Sequence, residues 1–308
     1  MHTLFRKGNV EIMSKTRFYL VCGLPGSGKT YWAYNHARSY DVVLDSDEIR
    51  AEEYGSADCQ DDPARIFNIM FQRTRAALYA SRDVYYVATN LSSRRRISLV
   101  KSLKKMFPKI HYYCVIMATP IDVCHERNSM RERVVPAYVI DRMLRQFEIP
   151  YEGEGWNEIL VHYNYEPDRD INYYRDIYDN LVEEYGDQGN SHHTSTLQDH
   201  CWECGVLARH NGALSDIMQA AYIHDYGKVW TAIRWEKDNY KEIHYPNHAN
   251  VGAYLALTMG YNLHIAQLVA YHMLPYTDQN CQNNWRIRIG EKLWKEIVEL
   301  HKCDLEAH

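Results

Sequence analysis

The sequence predicts an α/β domain, a parallel sheet flanked by helices, followed by an all-α domain. Three observations carry this expectation. Short runs rich in Val, Ile and Tyr alternate with helical stretches through the first half of the chain. A G-x-x-x-x-G-K-T loop joins the first such run to the first helical stretch. Beyond Ser191 the strand signals vanish and only helical spacing remains.

The strand runs are Phe18–Cys22, Val42–Leu44, Val84–Ala88, Tyr112–Ala118 and Ile159–Tyr163. They are short and apolar, as strands covered on both faces must be, and the stretches 29–39, 62–80, 93–106, 121–130 and 136–147 between them carry helical spacing. Such alternation builds parallel βαβ units. Residues 1–16 are polar and irregular, and Met13 is an alternative start of the folded part. Residues 171–186 place apolar or aromatic side chains at 174, 178, 181, 182 and 185, which predicts an amphipathic connecting helix with an acidic face, broken by Gly186 and Gly189. Segments 195–209, 213–228, 247–259, 262–273 and 287–305 then read as helices. The expected division is an extension 1–16, an α/β domain 17–168, an acidic connector 169–191 and an all-α domain 192–308.

With 46% hydrophobic and 24% charged residues, the 308-residue chain is neither collagenous nor disordered. Its net charge of -5 excludes a uniformly basic nucleic-acid coat but permits a local basic patch. Eleven of the 16 His lie from His192 onward. Residues 1–170 carry +2 and residues 171–308 carry -7, so the two parts are expected to do different work. The scattered spacing of the eight Cys reads as free thiols of a cytoplasmic protein, and no apolar run is long enough to suggest a membrane span.

The loop is Gly23-Leu24-Pro25-Gly26-Ser27-Gly28-Lys29-Thr30. Gly23, Pro25, Gly26, Ser27 and Gly28 curl the backbone so that its N–H groups meet phosphate oxygens, and the following helix start favours negative charge. Lys29 is expected to reach the β and γ phosphates of ATP, and Thr30 to hold Mg²⁺. Asp45 and Asp47 follow the second strand, where ligands of a parallel sheet gather. One carboxylate there can take a proton from an acceptor hydroxyl while its neighbour influences Mg²⁺; for Asp47 a helix-capping role competes. Between Ser92 and Ile110 stand seven basic residues and no acid, beginning with Arg94, Arg95 and Arg96. They read either as a solvated helix face or as a track for the phosphates of a strand end.

Together, the P-loop, the D-x-x-R element Asp47–Arg50, Thr89-Asn90 after the third strand, Arg127–Arg131 and Phe147-Glu148-x-Pro150 resemble the polynucleotide 5′-kinase family. The resemblance implies that Asp47 is the general base for a 5′-hydroxyl and that Arg50 grips an acceptor phosphate. It also makes Arg127 and Arg131 lid arginines around the transferring phosphoryl group, with Arg127 toward ATP and Arg131 catalytic. Thr89, Asn90 and Arg94–Arg96 would face the nucleic acid. An ordinary solvent-facing helix of i,i+4 ion pairs would look similar at Arg127 and Arg131. Relatives often carry an acid just before the Thr-Asn pair; Val87 and Ala88 stand here, so whatever that acid supports must come from Asp45 or be absent.

In the helical part, His224-Asp225 is joined by His200, His248, His272 and Asp304, each on a different predicted helix. Imidazoles and carboxylates from crossing helices suit divalent first-row metals and an activated water. The order H…HD…D resembles the HD phosphohydrolase superfamily, and His244-Tyr-Pro-Asn-His248 and Ala270-Tyr271-His272 resemble its later segments. The resemblance implies that His200, His224, Asp225 and Asp304 bind a first metal, and that His248 and His272 complete a second site. Mn²⁺, Ni²⁺, Co²⁺, Fe²⁺ and Zn²⁺ all fit such ligands. Lys228 is expected to contact substrate phosphate, its competing reading being a solvent-facing neighbour of His224. His192, His193 and His244 are expected around the phosphate rather than on the metal. Asp304 stands four residues from the last, where fraying would weaken a ligand.

The pair resembles bifunctional end-healing enzymes for broken RNA or DNA. That implies a 5′-OH converted to 5′-phosphate, a 3′-phosphate or 2′,3′-cyclic phosphate removed, and a separate ligase acting afterwards. The alternative is a small-metabolite or nucleoside kinase fused to an HD nucleotidase or phosphodiesterase.

Overall fold

The computed structural model describes residues 16–57, 62–189, 195–237 and 240–307, and the expectations for Met13, His192 and His193 lie outside them. Five parallel strands, β1 (Arg17–Cys22), β2 (Val42–Asp45), β3 (Val84–Val87), β4 (His111–Ala118) and β5 (Glu158–Tyr163), form a sheet in the order β2-β3-β1-β4-β5. The helices between them are α1 (Lys29–His36), α2 (Ser46–Tyr54), α3 (Pro63–Tyr79), α4 (Ser93–Met106), α5 (Ile121–Ser129) and α6 (Ala137–Arg145). On one face Tyr19, Val21, Tyr85, Val87, Val115 and Met117 pack on Trp32 and Ala33 of α1. On the other, Phe18, Leu20, Cys114 and Ile116 meet Ile66 and Met70 of α3 and Val100 and Leu103 of α4. The central strands β1, β3 and β4 therefore alternate between two covered faces, which is why their runs look almost uniformly apolar.

The second part is predominantly helical: α7 (Ile171–Tyr185), α8 (Leu197–His210), α9 (Ser215–Ile223), α10 (Lys228–Thr231), α11 (His248–Thr258), α12 (Leu263–Tyr271), α13 (Gln279–Ile289) and α14 (Glu291–Glu306). Two differences from expectation have local causes. The predicted helix 287–305 is two helices, because Gly290 at φ 88° breaks it. Strand signals do not vanish entirely, since β6 (Ile233–Lys237) and β7 (Tyr240–His244) form an antiparallel hairpin. An isolated hairpin of two short strands has too little periodicity to stand out.

The first part also contains a helix the spacing did not reveal, α2, which starts directly at the end of β2. Asp45 caps it by accepting from the Asp47 N–H at 2.7 Å. The two parts share one apolar core. Tyr254 of α11 packs edge-on against Phe147 and donates its hydroxyl to the Thr119 carbonyl at 2.7 Å. Gln267 of α12 donates to the Pro150 carbonyl at 2.9 Å. The connecting helix α7 buries Tyr174, Tyr178 and Val182 against this assembly. No helix among the described residues is long and apolar enough to cross a membrane.

Candidate nucleotide site and candidate metal centre

The loop 23–30 lies between β1 and α1 at the carboxyl edge of the sheet. Its position is fixed from three sides. The Gly23 N–H donates to the Thr89 carbonyl at 3.1 Å, and Thr119 Oγ1 and Asn164 Nδ2 donate to the Ser27 carbonyl at 3.0 and 2.9 Å. Asn90, at a left-handed φ of 49°, donates from Nδ2 to the Val21 carbonyl at 2.8 Å. Thr89 and Asn90 thus lock the end of β3 to the loop. Lys29 donates to the Leu24 carbonyl at 2.7 Å, and burial lowers its ammonium below the ordinary lysine range. Thr30 Oγ1 donates to Asp45 Oδ2 at 2.6 Å, so the hydroxyl and the carboxylate expected around Mg²⁺ stand together.

Asp47 is not a cap; Asp45 is. The Asp47 carboxylate instead gathers three arginines: Arg50 at 2.6 Å, Arg133 at 3.0 Å and Arg131 at 3.4 Å. Arg50 is buried, and its Nε has no hydrogen-bond partner among the described residues. Arg127 reaches elsewhere, pairing with Glu166 at 2.8 Å beside Gly28. α5 and the segment after it therefore divide their cations, Arg127 of α5 over the loop and Arg131 with Arg133 over Asp47. The sequence reading overlooked Arg133, although it stands only two residues beyond Arg131.

One expected nucleic-acid contact is corrected. Arg96 is 1% exposed and holds Glu154 through Nη2 at 2.6 Å and Nε at 2.8 Å. It also donates to the carbonyls of Asn90, Leu91 and Glu148. Its whole fork is committed inside the protein and presents nothing to a polynucleotide. Arg94 and Arg95, on the first turn of α4, are exposed.

In the helical part, His200 comes from α8, His224 and Asp225 from the end of α9, His248 from the start of α11, His272 from the end of α12 and Asp304 from α14. All six are buried. Gly227 allows this convergence: a Cβ there would lie 2.0 Å from the His248 carbonyl oxygen, so only glycine admits α11 this close.

The four imidazoles share one device. Nδ1 of His200, His224, His248 and His272 lies 3.1, 2.8, 2.8 and 2.7 Å from the backbone carbonyls of Ala307, Ala221, Tyr245 and Val269. A carbonyl only accepts, so each Nδ1 carries a proton, and each ring turns its Nε2 inward. The Nε2 atoms converge on carboxylates and on one another. Asp304 Oδ1 is 3.1 Å from His200 Nε2 and 3.2 Å from His224 Nε2, and His248 Nε2 is 3.3 Å from His272 Nε2.

Asp225 stands between the two groups. Its Oδ2 lies 3.6 and 3.5 Å from His200 and His224, and its Oδ1 lies 3.2 and 3.5 Å from His248 and His272. Two triads result, His200–His224–Asp225 and Asp225–His248–His272, each with ligand atoms within 4.8 Å of one another. Neutral imidazoles and carboxylates converging in a buried space are a donor set for divalent first-row metals, and the shared carboxylate can bridge a pair of them.

The charges agree with that reading. Burial opposes ionisation of Asp225, but Lys228 and His224 hold its carboxyl well below the usual range. Burial likewise opposes the charge on His224, yet Asp225 and Asp304 push it up to about 9. An ion entering beside His224 must displace that proton, which ties metal binding to pH.

Lys228 Nζ touches Asp225 Oδ2 at 2.5 Å and is buried, so it does not face solvent. His244 ends β7, exposed and outside both triads. Asp304 is anchored rather than frayed, because Tyr276 donates to its Oδ2 at 3.0 Å and His200 reaches the next turn at Ala307. Tyr276 was not readable in the sequence, since nothing local links it to Asp304. Removing divalent ions with EDTA is expected to lower the melting temperature, and re-adding Mn²⁺ to restore it. The loss corresponds to about 3–4 kcal/mol where free metal had exceeded its Kd a hundred- to a thousandfold. A scanning-fluorimetry trace indifferent to both additions would count against a metal centre.

A family model described as "AAA domain" matches residues 19–150. No curated protein matches the chain. Among solved structures, a chain of the Pnkp1/Rnl/Hen1 RNA repair complex is 19% identical, with TM-score 0.38, over 46% of this chain and 46% of that one. A sugar kinase from Janibacter sp. HTCC2649 is 19% identical with TM-score 0.34, over 47% of this chain and 85% of that one. The Deinococcus radiodurans tunicamycin resistance protein is 19% identical with TM-score 0.32, over 46% and 89%. The chain spans less than half the length of the repair-complex chain it matches. At these scores the likenesses add nothing to the geometry.

Proposed function

We propose that the chain heals nucleic-acid ends at two sites: ATP-dependent phosphorylation of a 5′-hydroxyl at the P-loop, and metal-dependent removal of a 3′-phosphate or 2′,3′-cyclic phosphate in the helical part. The observation that carries this is the joining, in one chain with one core, of a P-loop facing an arginine-bound Asp47 with two triads sharing Asp225. Residues 17–168 are assigned to the kinase part, 169–191 to the connector and 192–308 to the hydrolase part.

At the first site the loop amides and Lys29 bind the β and γ phosphates of ATP, and Thr30 and Asp45 would hold Mg²⁺, which would shield the phosphate charge. Asp47 accepts the proton of the 5′-hydroxyl. The 5′-oxygen then forms its bond to the γ-phosphorus as the bond to the ADP oxygen breaks in line. Arg50, with an Nε donor still unpaired, suits an acceptor phosphate. Arg131 and Arg133 turn from Asp47 to the phosphoryl group when the hydroxyl arrives and, remaining cationic, stabilise its negative charge. The exposed Arg94 and Arg95 favour a polynucleotide over a small metabolite.

At the second site a divalent ion would polarise the phosphoryl group and activate water for attack on phosphorus. His200, His224, Asp225 and Asp304 would hold it, and His248 and His272 with Asp225 a second. Lys228 neutralises Asp225 and supplies positive charge beside the phosphate.

The test is an end-labelled RNA carrying a 5′-OH and a 3′-phosphate, incubated with ATP, Mg²⁺ and Mn²⁺, beside matched DNA, a 2′,3′-cyclic end and free nucleosides. Asp47→Ala is expected to lower 5′ phosphorylation about 10²–10⁴-fold, the usual contribution of a general base, while 3′ dephosphorylation continues. Lys29→Ala should behave the same way. Phosphorylation of free nucleosides but not of the oligonucleotide would replace this reading with a nucleoside kinase.

A further inference from the structure

Beside the metal centre lies a polar side chain that no ligand role explains. Gln188, in the segment between α7 and α8, is fully buried. Its Oε1 accepts from Lys228 Nζ at 2.8 Å, and the same ammonium touches Asp225 Oδ2 at 2.5 Å. Only one amide orientation is possible, because an ammonium has no lone pair and must meet the carboxamide oxygen. The NH₂ group therefore faces away from Lys228. It is buried and finds no hydrogen-bond partner among the described residues. Two unpaired N–H bonds inside a protein are unfavourable and uncommon, and a group left in that state calls for an acceptor.

The fold holds Gln188 there firmly. The Tyr245 hydroxyl donates to the Gln188 carbonyl and lies 3.0 Å from the Tyr185 hydroxyl. The Gly189 carbonyl accepts from the Ile243 N–H at 3.1 Å, which ties the segment to β7. Gly189 takes a left-handed φ of 61°, and a Cβ on it would lie 2.6 Å from Ile243 Cδ1, so the chain turns here in a way only glycine allows. A hydrophobic side chain at 188 would satisfy packing alone. Instead a donor is retained one ammonium away from the carboxylate shared by both triads.

We infer that Gln188 is a substrate-binding residue of the metal centre. Its Nε2 donates to a non-bridging oxygen of the phosphoryl group bound there, while its Oε1 holds Lys228 against Asp225. A phosphate oxygen only accepts, so it matches the Gln188 N–H groups and the adjoining Lys228 charge. The inference rests on the proposed phosphohydrolase activity.

Gln188→Glu and Gln188→Met separate the two halves of this role. Glutamate keeps an acceptor for Lys228 and removes the donors; methionine removes both at nearly the same length. Orthophosphate binding to the full-length, Mn²⁺-loaded protein is measured by calorimetry, with KM and kcat for a 3′-phosphorylated oligonucleotide, metal content by mass spectrometry and 5′-kinase activity as a folding control. Both variants are expected to keep wild-type metal content and kinase activity and to bind orthophosphate about tenfold more weakly or worse, with KM rising in parallel; tenfold is about 1.4 kcal/mol. If Gln188→Glu binds orthophosphate as wild type does, the inference is overturned, whether or not Gln188→Met is impaired. A variant that loses metal or kinase activity is replaced by Gln188→Asn, which retracts the amide by one methylene and carries the same tenfold expectation. Wild-type protein that takes up Mn²⁺ but neither binds orthophosphate nor dephosphorylates the oligonucleotide would remove the phosphohydrolase reading itself, a different outcome from unaffected variants.

Discussion

Asp225→Ala is expected to empty both triads at once and to lower 3′-phosphate removal by about 10³-fold or more, leaving 5′ phosphorylation within about twofold of wild type. The size of the effect follows from geometry. Asp225 offers Oδ2 to His200 and His224 and Oδ1 to His248 and His272, and it alone belongs to both groups. His272→Ala removes a ligand from one triad only, so it should keep one metal per chain where Asp225→Ala keeps none. Metal content by mass spectrometry distinguishes the two variants directly. The alanine variant also strands the buried Lys228 ammonium beside an absent carboxylate, so part of its defect is lost stability. Asp225→Asn keeps the shape and provides the comparison. Stoichiometric metal in Asp225→Ala would mean that the ligands lie elsewhere.

The second large effect concerns a residue with no chemistry of its own. Arg96→Ala should destabilise the protein by about 3–5 kcal/mol, because it leaves the Glu154 carboxylate charged and unpaired in the core. Glu154 is 3% exposed, and beyond Arg96 it accepts from Trp156 Nε1 at 2.8 Å. Three backbone carbonyls would lose their donor as well, two of them, Asn90 and Leu91, directly after β3. Because Thr89 and Asn90 hold the P-loop from that side, nucleotide affinity should fall with stability. Arg96→Lys restores charge but not the fork, so it should recover only part of the loss. The double variant Arg96→Met/Glu154→Gln, which removes the stranded charge, should unfold at higher urea than Arg96→Ala. Equal urea midpoints for Arg96→Ala and wild type would show that the pair contributes nothing.

Arg94, Arg95 and Arg96 are indistinguishable as text, three consecutive cations ahead of a helix. Rotation by about 100° per residue around α4 exposes the first two and buries the third on Glu154, which is 58 residues away. The helical hairpin at Gly290 and the β6–β7 hairpin were missed for a related reason: each depends on one glycine or one short pairing rather than on sustained periodicity. Asp47 is local to the end of β2, but the three arginines on it come from α2 and from the segment after α5.

What the sequence by itself determined is what is written locally. The central strands stand out because burial on both faces makes them almost wholly apolar, and the P-loop because its residues are contiguous. The histidine ligand candidates stand out because residue type and order survive without coordinates. Packing of distant segments fixes the rest: four Nδ1 protons are committed to carbonyls, Asp225 joins two triads, Arg96 is internal, and the Gln188 donor beside Lys228 has no partner among the described residues. Each of these depends on groups from separate segments meeting in a dry interior. There, the direction of a single hydrogen bond decides which atoms remain free for a ligand.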